Sequence, residues 1–388
     1  MTRTLLVTND FPPKIGGIQS YLGELWARLD PATTAVLTAS SHEGATAFDL
    51  AAVERGLAID RVAARTLWAP TPTAGRAVDA AIRRHRPELV LYDPFAPLGR
   101  LGARAGVPYG VVLHGAEVAI PARLMGARAL SRAVLRGATV AVCAGSYPEA
   151  EARRAAGDQM PPVVQVPPGV DTVAFAPLAA ARRGEVRARL SLPLTGPLVT
   201  TVGRLVPRKG VDVLIAAVSA LAGRWPDLTL CVAGDGRDRG RLVGLARRAG
   251  ARVHFLGRLD EGDKIDLLGA SDVFAQPCRS RWSGLEQEGF GIVFLEAAAC
   301  GVPQVAGRSG GSYEAVVAGV TGEVVDRPGD PRAVAAAIEG LLADGPRRAA
   351  MGEAARQRAV ASFGYDDLAA RLQAGLTAAM SKHPPPRP

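Results

Sequence analysis

The chain predicts an α/β fold built from two successive Rossmann-like units, and three observations carry that reading. Short apolar runs alternate with longer stretches of helical spacing along most of the sequence, the pattern of a mostly parallel sheet with crossover helices. The alternation halts at Pro161-Pro-Val-Val-Gln-Val-Pro-Pro-Gly-Val-Asp171 and starts afresh at residues 198–202. At 388 residues, with 48% hydrophobic and 21% charged content, the chain is long enough for two cores.

Taken in order, residues 4–8 read as a buried strand and residues 9–17 as a loop containing Gly16 and Gly17. Residues 18–29 follow as a helix with Ile18, Leu22, Leu25 and Leu29 on one side. Strand, glycine loop, helix is how an α/β sheet presents backbone amides to a ligand. Neither G-x-G-x-x-G nor a G-K-[ST] phosphate loop is present, however. Further strands are expected at 34–39, 89–92, 109–113, 139–143 and 163–166. The strand at 109–113 runs into His114-Gly-Ala-Glu117, a polar cluster at a strand's carboxyl end, where open α/β sheets place ligands. Arg128, Arg132 and Arg136 fall on one helical face in the stretch from Arg123 to Arg136, a candidate membrane-surface face or a plain solvated one. The second unit offers strands at 198–202, 229–233, 253–256, 273–276 and 304–306, then helices at 331–342, 346–362 and 366–380. These patterns divide the chain into a first domain at 1–168, a second at 169–362, and a helix with a disordered Pro-rich tail at 363–388.

Composition narrows the function classes. A formal charge of +9 favours anionic partners without choosing among nucleotides, nucleic acid and acidic lipid. Cys143, Cys231, Cys278 and Cys300 are scattered, with no C-x-x-C pair, so they read as reduced thiols of a cytoplasmic protein rather than a zinc or disulfide framework. No signal peptide is expected, and no apolar run approaches the roughly 20 residues that span a bilayer. No DNA- or RNA-binding motif is recognised.

Two constellations carry chemistry. In Glu288-Gly-Phe-Gly-Ile-Val-Phe-Leu-Glu296, a Gly-Phe-Gly turn opens an apolar helix, and the free N–H groups of Phe290, Gly291 and Ile292 make a pocket suited to an anion. A carboxylate cannot bind phosphate, so Glu288 and Glu296 must serve something attached to it, and sugar hydroxyls fit. The plain alternative is a buried helix Glu296 with its own partner and a solvated Glu288. The second constellation is Arg204 and Lys209, in the loop after strand 198–202. A planar fork and a mobile point charge together suit a diphosphate.

These motifs in this order resemble the retaining glycosyltransferases of the GT-B fold, family 4, across nearly the whole chain. The resemblance rests on Gly16-Gly17, His114, Pro168-Gly-Val-Asp171, Gly203-Arg-Leu-x-x-x-Lys209-Gly and the E-x7-E pair followed by Gly-Val-Pro303. Within family 4 the chain is most similar to the GDP-mannose-dependent mannosyltransferases that extend phosphatidylinositol monomannoside at the 6-position. The resemblance implies two domains facing each other across a cleft, with the C-terminal helix crossing back to the first. It implies that Arg204 and Lys209 hold the nucleotide diphosphate and Glu296 the ribose. Glu288 would hold donor-sugar hydroxyls beside Phe290, Gly291 and Ile292. Gly16 and Gly17 would approach the phosphate, His114 would face the transferred sugar, and the base would lie along Val253 to Arg258. No metal or cofactor is implied beyond the nucleotide-sugar donor. The acceptor would be lipid-linked or a glycan, with peripheral contact to the inner face of the cell membrane through Arg123 to Arg136. Departures at Ala116, at Arg279-Ser-Arg-Trp282-Ser-Gly-Leu-Glu-Gln287 and at Gly310-Gly-Ser-Tyr-Glu314 bear on the acceptor more than on the reaction. A family 4 enzyme with a UDP- or ADP-linked donor, a sugar-nucleotide epimerase and a non-catalytic nucleotide-binding protein are the competing readings.

Overall fold

The structure is a computed structural model that describes residues 1–40 and 43–382. The proposed Pro-rich tail at 384–388 lies outside the described residues. The chain forms two compact units, Met1–Pro168 with Tyr365–Pro388, and Gly169–Gly364.

The first unit runs β1 (Thr4–Thr8), α1 (Gly17–Trp26), β2 (Thr34–Ala39), α2 (Ala45–Glu54), β3 (Ala58–Val62), α3 (Pro72–His85) and β4 (Leu89–Asp93). It continues with β5 (Tyr109–Leu113), α4 (Ala116–Arg123), α5 (Met125–Gly137), β6 (Val140–Cys143), α6 (Ser146–Ala156) and β7 (Val163–Gln165). The strands make one parallel sheet in the order β3-β2-β1-β4-β5-β6-β7. Helices cover its faces, so the central strands are largely apolar: Leu5, Val7, Val90, Tyr92, Val111 and Leu113 are shut off from water in one core. Each such side chain contributes roughly 1.5–3 kcal/mol by leaving water.

The second unit runs α7 (Ala180–Arg189), β8 (Leu198–Val202), α8 (Val211–Leu221), β9 (Thr229–Ala233), α9 (Arg239–Ala249), β10 (Val253–Gly257) and α10 (Glu261–Gly269). Then come β11 (Val273–Gln276), α11 (Ile292–Ala299), β12 (Gln304–Gly307), β13 (Gly322–Val325), α12 (Pro331–Ala343) and α13 (Gly345–Ser362). Its parallel sheet has the order β10-β9-β8-β11-β12-β13. α8 and α12 cover one face with Leu214, Ile215, Val334 and Ile338, and α11 and α13 cover the other with Phe294, Leu295 and Ala355. The last helix, α14 (Tyr365–Lys382), belongs to the first unit. There Asp366 accepts from Arg28 Nε at 2.9 Å, and the Arg28 guanidinium sits 5.4 Å over the Tyr365 ring.

Several expectations need correction. The first helix spans Gly17–Trp26, ending before Leu29. Strands β3 and β13 were not anticipated, and both are edge strands. The expected basic stretch is two helices, α4 and α5, broken at the extended Leu124. Arg128 and Arg132 keep exposed side chains, but their guanidinium groups donate back to the last carbonyls of α6, Arg154 O at 2.9 Å and Ala155 O at 3.2 Å. Arg123 grips Glu151 with both terminal nitrogens. A free arginine stripe is therefore only partly present, because helix C-termini recruit guanidinium groups.

Candidate active site

In the second unit, β8 delivers its chain into the loop holding Arg204 and Lys209, and β11 delivers its chain into the loop holding Glu288. The two strands are hydrogen-bonded neighbours, so both loops leave the sheet on the same edge. Gly210 caps the turn with φ 71°, a left-handed conformation, and a Cβ there would run into the Pro277 carbonyl. This close approach locks the Lys209 turn against the β11 loop.

The result is a three-way ion cluster. Lys209 Nζ lies 2.9 Å from Glu288 Oε2 and donates to Gln276 Oε1 at 3.0 Å, while Arg208 donates to the same Glu288 oxygen. Glu288 is buried. Burial alone would raise its pKa, but the Lys209 ammonium and the Arg208 guanidinium overcome that and hold it down to about 2. The alternative of a solvated Glu288 is thus overturned. Cys278 also packs against Glu288, and burial pushes its thiol up to about 12, so it is inert there. Arg204 stays exposed and makes no hydrogen bond or ion pair among the described residues. It lines an open pocket of about 360 Å³ with Val206, Arg208, Arg237 and Glu286.

Behind Glu288 the chain turns through Phe290, buried against Phe363 with ring centroids 6.1 Å apart, and Gly291 at φ 85°. A Cβ at Gly291 would sit 2.7 Å from the Phe294 ring, so this helix start needs glycine twice over, for its backbone and for space. α11 begins at Ile292, as the spacing predicts. The N–H groups of Phe290, Gly291 and Ile292 donate to no acceptor among the described residues. They are open to an incoming anion or hydroxyl.

Glu296 lies in α11, and its carboxylate meets Lys264 of α10, with Nζ to Oε1 at 2.8 Å. Burial raises the Glu296 pKa against the pull of Lys264, and the pair in turn raises that of Lys264 in spite of its burial. Lys264 also pairs with Glu261 at 3.0 Å and stands 5.1 Å over the Phe175 ring. The plain expectation of a partnered helix Glu296 is met, its side chain 13% exposed. Val253 and Arg258 bracket β10, the edge strand beside β9, and Arg258 follows its carboxyl end.

The remaining expected residues, Gly16, Gly17 and His114, lie in the first unit. Gly16 and Gly17 start α1, beside a cluster in which Asp10 accepts from Lys14 and Gln19 at 2.5 Å each. His114 follows β5 and is buried. Its Nε2 is 3.1 Å from Asp93 Oδ1, Asp93 Oδ2 accepts from Thr8 Oγ1 at 2.6 Å, and the Tyr21 ring packs edge-on at 5.7 Å. Burial opposes charging of the imidazole, but Asp93 outweighs it and raises the His114 pKa. Glu117 accepts from the backbone N–H of His114 and, at 2.9 Å, of Gly115, pinning the turn.

Sequence reasoning missed Arg208, Lys264, Asp93 and Gln276. Asp93 and Gln276 left a signal, polar side chains at the carboxyl ends of the central strands β4 and β11.

The family model for glycosyl transferases group 1 matches residues 182–358. A GDP-mannose-dependent monoacylated alpha-(1-6)-phosphatidylinositol monomannoside mannosyltransferase from Corynebacterium glutamicum is 38% identical, over 95% of this chain and 96% of its own length. A GDP-mannose-dependent alpha-(1-6)-phosphatidylinositol monomannoside mannosyltransferase from Mycobacterium tuberculosis is 40% identical, over 96% and 97%. Among solved structures, Anabaena HepE in complex with UDP and glucose has a TM-score of 0.79 at 21% identity, covering 97% of this chain and all of that one. Sucrose-phosphate synthase from Thermosynechococcus elongatus also reaches 0.79, at 22% identity, over 98% of this chain and all of its own. The structural likenesses establish the fold, and the full-length relatives establish the family. The chain belongs to the group 1 glycosyltransferases of GT-B fold and is a glycosyltransferase.

Proposed function

We propose that the protein transfers mannose from GDP-mannose, with retention of configuration, to a hydroxyl of phosphatidylinositol monomannoside. The observation that carries this is end-to-end similarity to enzymes of that name, joined to a cation and carboxylate cluster suited to a sugar nucleotide. Arg204, Lys209 and Arg208 hold the diphosphate and neutralise it as it leaves, with no metal ion needed for that charge. Glu288, with the N–H groups of Phe290, Gly291 and Ile292, holds hydroxyls of the sugar. Glu296 accepts from the ribose, and the base lies along Val253 to Arg258.

The pairing of the carboxylates bears on mechanism. Glu288 is committed to two cations and Glu296 to Lys264, so neither is a free nucleophile of the kind a retaining glycosidase uses. The acceptor hydroxyl instead attacks the anomeric carbon from the leaving-group side. Its oxygen bonds to that carbon as the bond to the diphosphate breaks, and its proton passes to a phosphate oxygen.

A lipid acceptor calls for membrane contact, although no described helix is long and apolar enough to cross a bilayer. The corner between α4 and α5 suits peripheral binding. Ile120, Leu124 and Met125 are 42%, 52% and 92% exposed there, next to the exposed Arg128, Arg132 and Arg136. Mass spectrometry of products from GDP-mannose or UDP-glucose, with and without phosphatidylinositol monomannoside, tests the function. A dimannoside is expected from GDP-mannose alone, and transfer only from UDP-glucose or only to another acceptor would reject the reading.

A further inference from the structure

The 360 Å³ pocket retains charge that the donor leaves unused. The donor reading employs Arg204, Arg208 and Lys209, tempered by Glu288, which leaves two positive charges for the two negative ones of a sugar-nucleotide diphosphate. Arg237 and Glu286 line the same pocket without a part in that arrangement. Glu286 is already satisfied by Arg281, with Nη1 to Oε2 at 2.7 Å, whereas Arg237 reaches its other oxygen only at 3.9 Å and keeps a 67% exposed side chain. One positive charge therefore remains beside the donor's position, on a fork able to take two oxygens of one anion.

The wall next to that charge is unusual. Arg281 and Glu286 close a short hairpin by reciprocal backbone hydrogen bonds of 2.9 and 3.2 Å. At its tip Trp282 and Ser283 have φ 49° and 52°, a left-handed backbone that side chains disfavour. Gln287 braces the loop, donating to Gly284 O at 2.9 Å and accepting from Gly310 N at 3.0 Å. Trp282 is nonetheless 62% exposed, with the Arg281 guanidinium stacked 4.6 Å from its ring centroid. A bulky ring held in a costly conformation and turned to water is the kind of strain that surroundings sustain at binding sites.

We propose that Arg237 and Trp282 form an acceptor-recognition subsite for a phosphorylated glycoside. Arg237 takes a phosphodiester monoanion, and the Trp282 ring lies against the apolar face of the sugar next to it. This rests on the mannosyl-acceptor reading above. The test compares wild type, Arg237→Ala, Arg237→Lys and Trp282→Ala on two acceptors, short-chain phosphatidylinositol monomannoside and phosphate-free methyl α-mannoside, with GDP affinity measured in parallel. Arg237→Ala is expected to raise KM for the phosphorylated acceptor about tenfold or more, with KM for methyl α-mannoside and the Kd of GDP unchanged. Arg237→Lys recovers part of the loss, and Trp282→Ala raises KM for both acceptors. Weaker GDP binding by Arg237→Ala would assign that arginine to the donor and overturn the proposal, as would equal losses on both acceptors or no change on either. Wild-type transfer to neither acceptor would defeat the mannoside reading and this subsite with it, whereas good wild-type transfer with an indifferent Arg237→Ala defeats the subsite alone.

Discussion

Glu288→Gln keeps the shape of the side chain and removes its charge, so it isolates what that charge does for Arg208 and Lys209. The fall of the Glu288 pKa from 4.5 to about 2, at 1.36 kcal/mol per pH unit, corresponds to roughly 3 kcal/mol of net attraction to the two cations. Glutamine forfeits that attraction and leaves a buried ammonium poorly compensated, so the variant is less stable at pH 7 by up to about 3 kcal/mol. The sign of the pH dependence follows from the depressed pKa. The contribution is complete above the unfolded carboxyl value near 4.5 and is lost as pH falls through about 2, so at pH 3 the deficit is roughly halved. Ligand binding moves the other way. Cations released from Glu288 are free for a diphosphate, so GDP binds more tightly, about tenfold for each 1.4 kcal/mol recovered. Transfer from GDP-mannose falls because the sugar hydroxyls exchange a charged acceptor for a weaker neutral amide oxygen. Urea unfolding at pH 7 and pH 3, calorimetric titration with GDP and turnover measurements read the three effects. Weaker GDP binding, or an undiminished stability deficit at pH 3, would refute the claim that Glu288 restrains these cations.

Three further outcomes are expected. Arg204→Ala lowers kcat on the order of 10²-fold or more, as loss of a group that stabilises developing charge does, and near-normal kcat would remove Arg204 from the diphosphate. Lys264→Met leaves Glu296 buried without its cation, so the pKa of Glu296 rises further and GDP affinity drops about tenfold. The loss of GDP binding on acidification should then set in at higher pH than in wild type, and an unmoved acid limb counts against a ribose role for Glu296. Asp93→Asn removes the group that raises the pKa of His114. That raised pKa supplies stability in full below the unfolded value near 6.5 and loses it as pH rises through the folded value. The variant's drop in Tm should therefore be larger at pH 6 than at pH 9, and equal drops would contradict the pairing.

What the sequence makes legible and what it hides differ by a physical rule. Central strands such as β4 and β8 are covered on both faces, so their apolar runs stand out. The edge strands β3 and β13 carry charge, in Ala58-Ile-Asp-Arg-Val62 and Gly322-Glu-Val-Val325, and so read as loop. The helix wheel correctly set Arg128 and Arg132 on one side of α5, but it has no term for the neighbouring α6 carbonyls that claim their guanidinium groups. The site follows the same rule. Glu288, Gly291 and Glu296 are readable because glycine geometry and helix spacing are written within nine consecutive residues. Lys209 is readable from its own loop, but the pairings are not, and Lys264 and Arg208 go unread because Lys264 is 32 residues from Glu296 and Arg208 is 80 from Glu288.

Those distant partners answer a physical need. A buried carboxylate that must grip a neutral hydroxyl has to be ionised before the ligand arrives, and burial by itself would protonate it. Lys209 and Arg208 meet that need for Glu288, and Lys264 works in the same direction on Glu296. On the first unit Asp93 does the converse for the imidazole of His114. Glu288, Glu296 and His114 are thus each paired with an opposite charge from a different strand end or helix, and within each unit the parallel sheet is what brings such ends together. Arg204 and Arg258 stand apart, both exposed and without a counterion among the described residues, and for Arg204 this fits a cation whose partner is the leaving diphosphate itself.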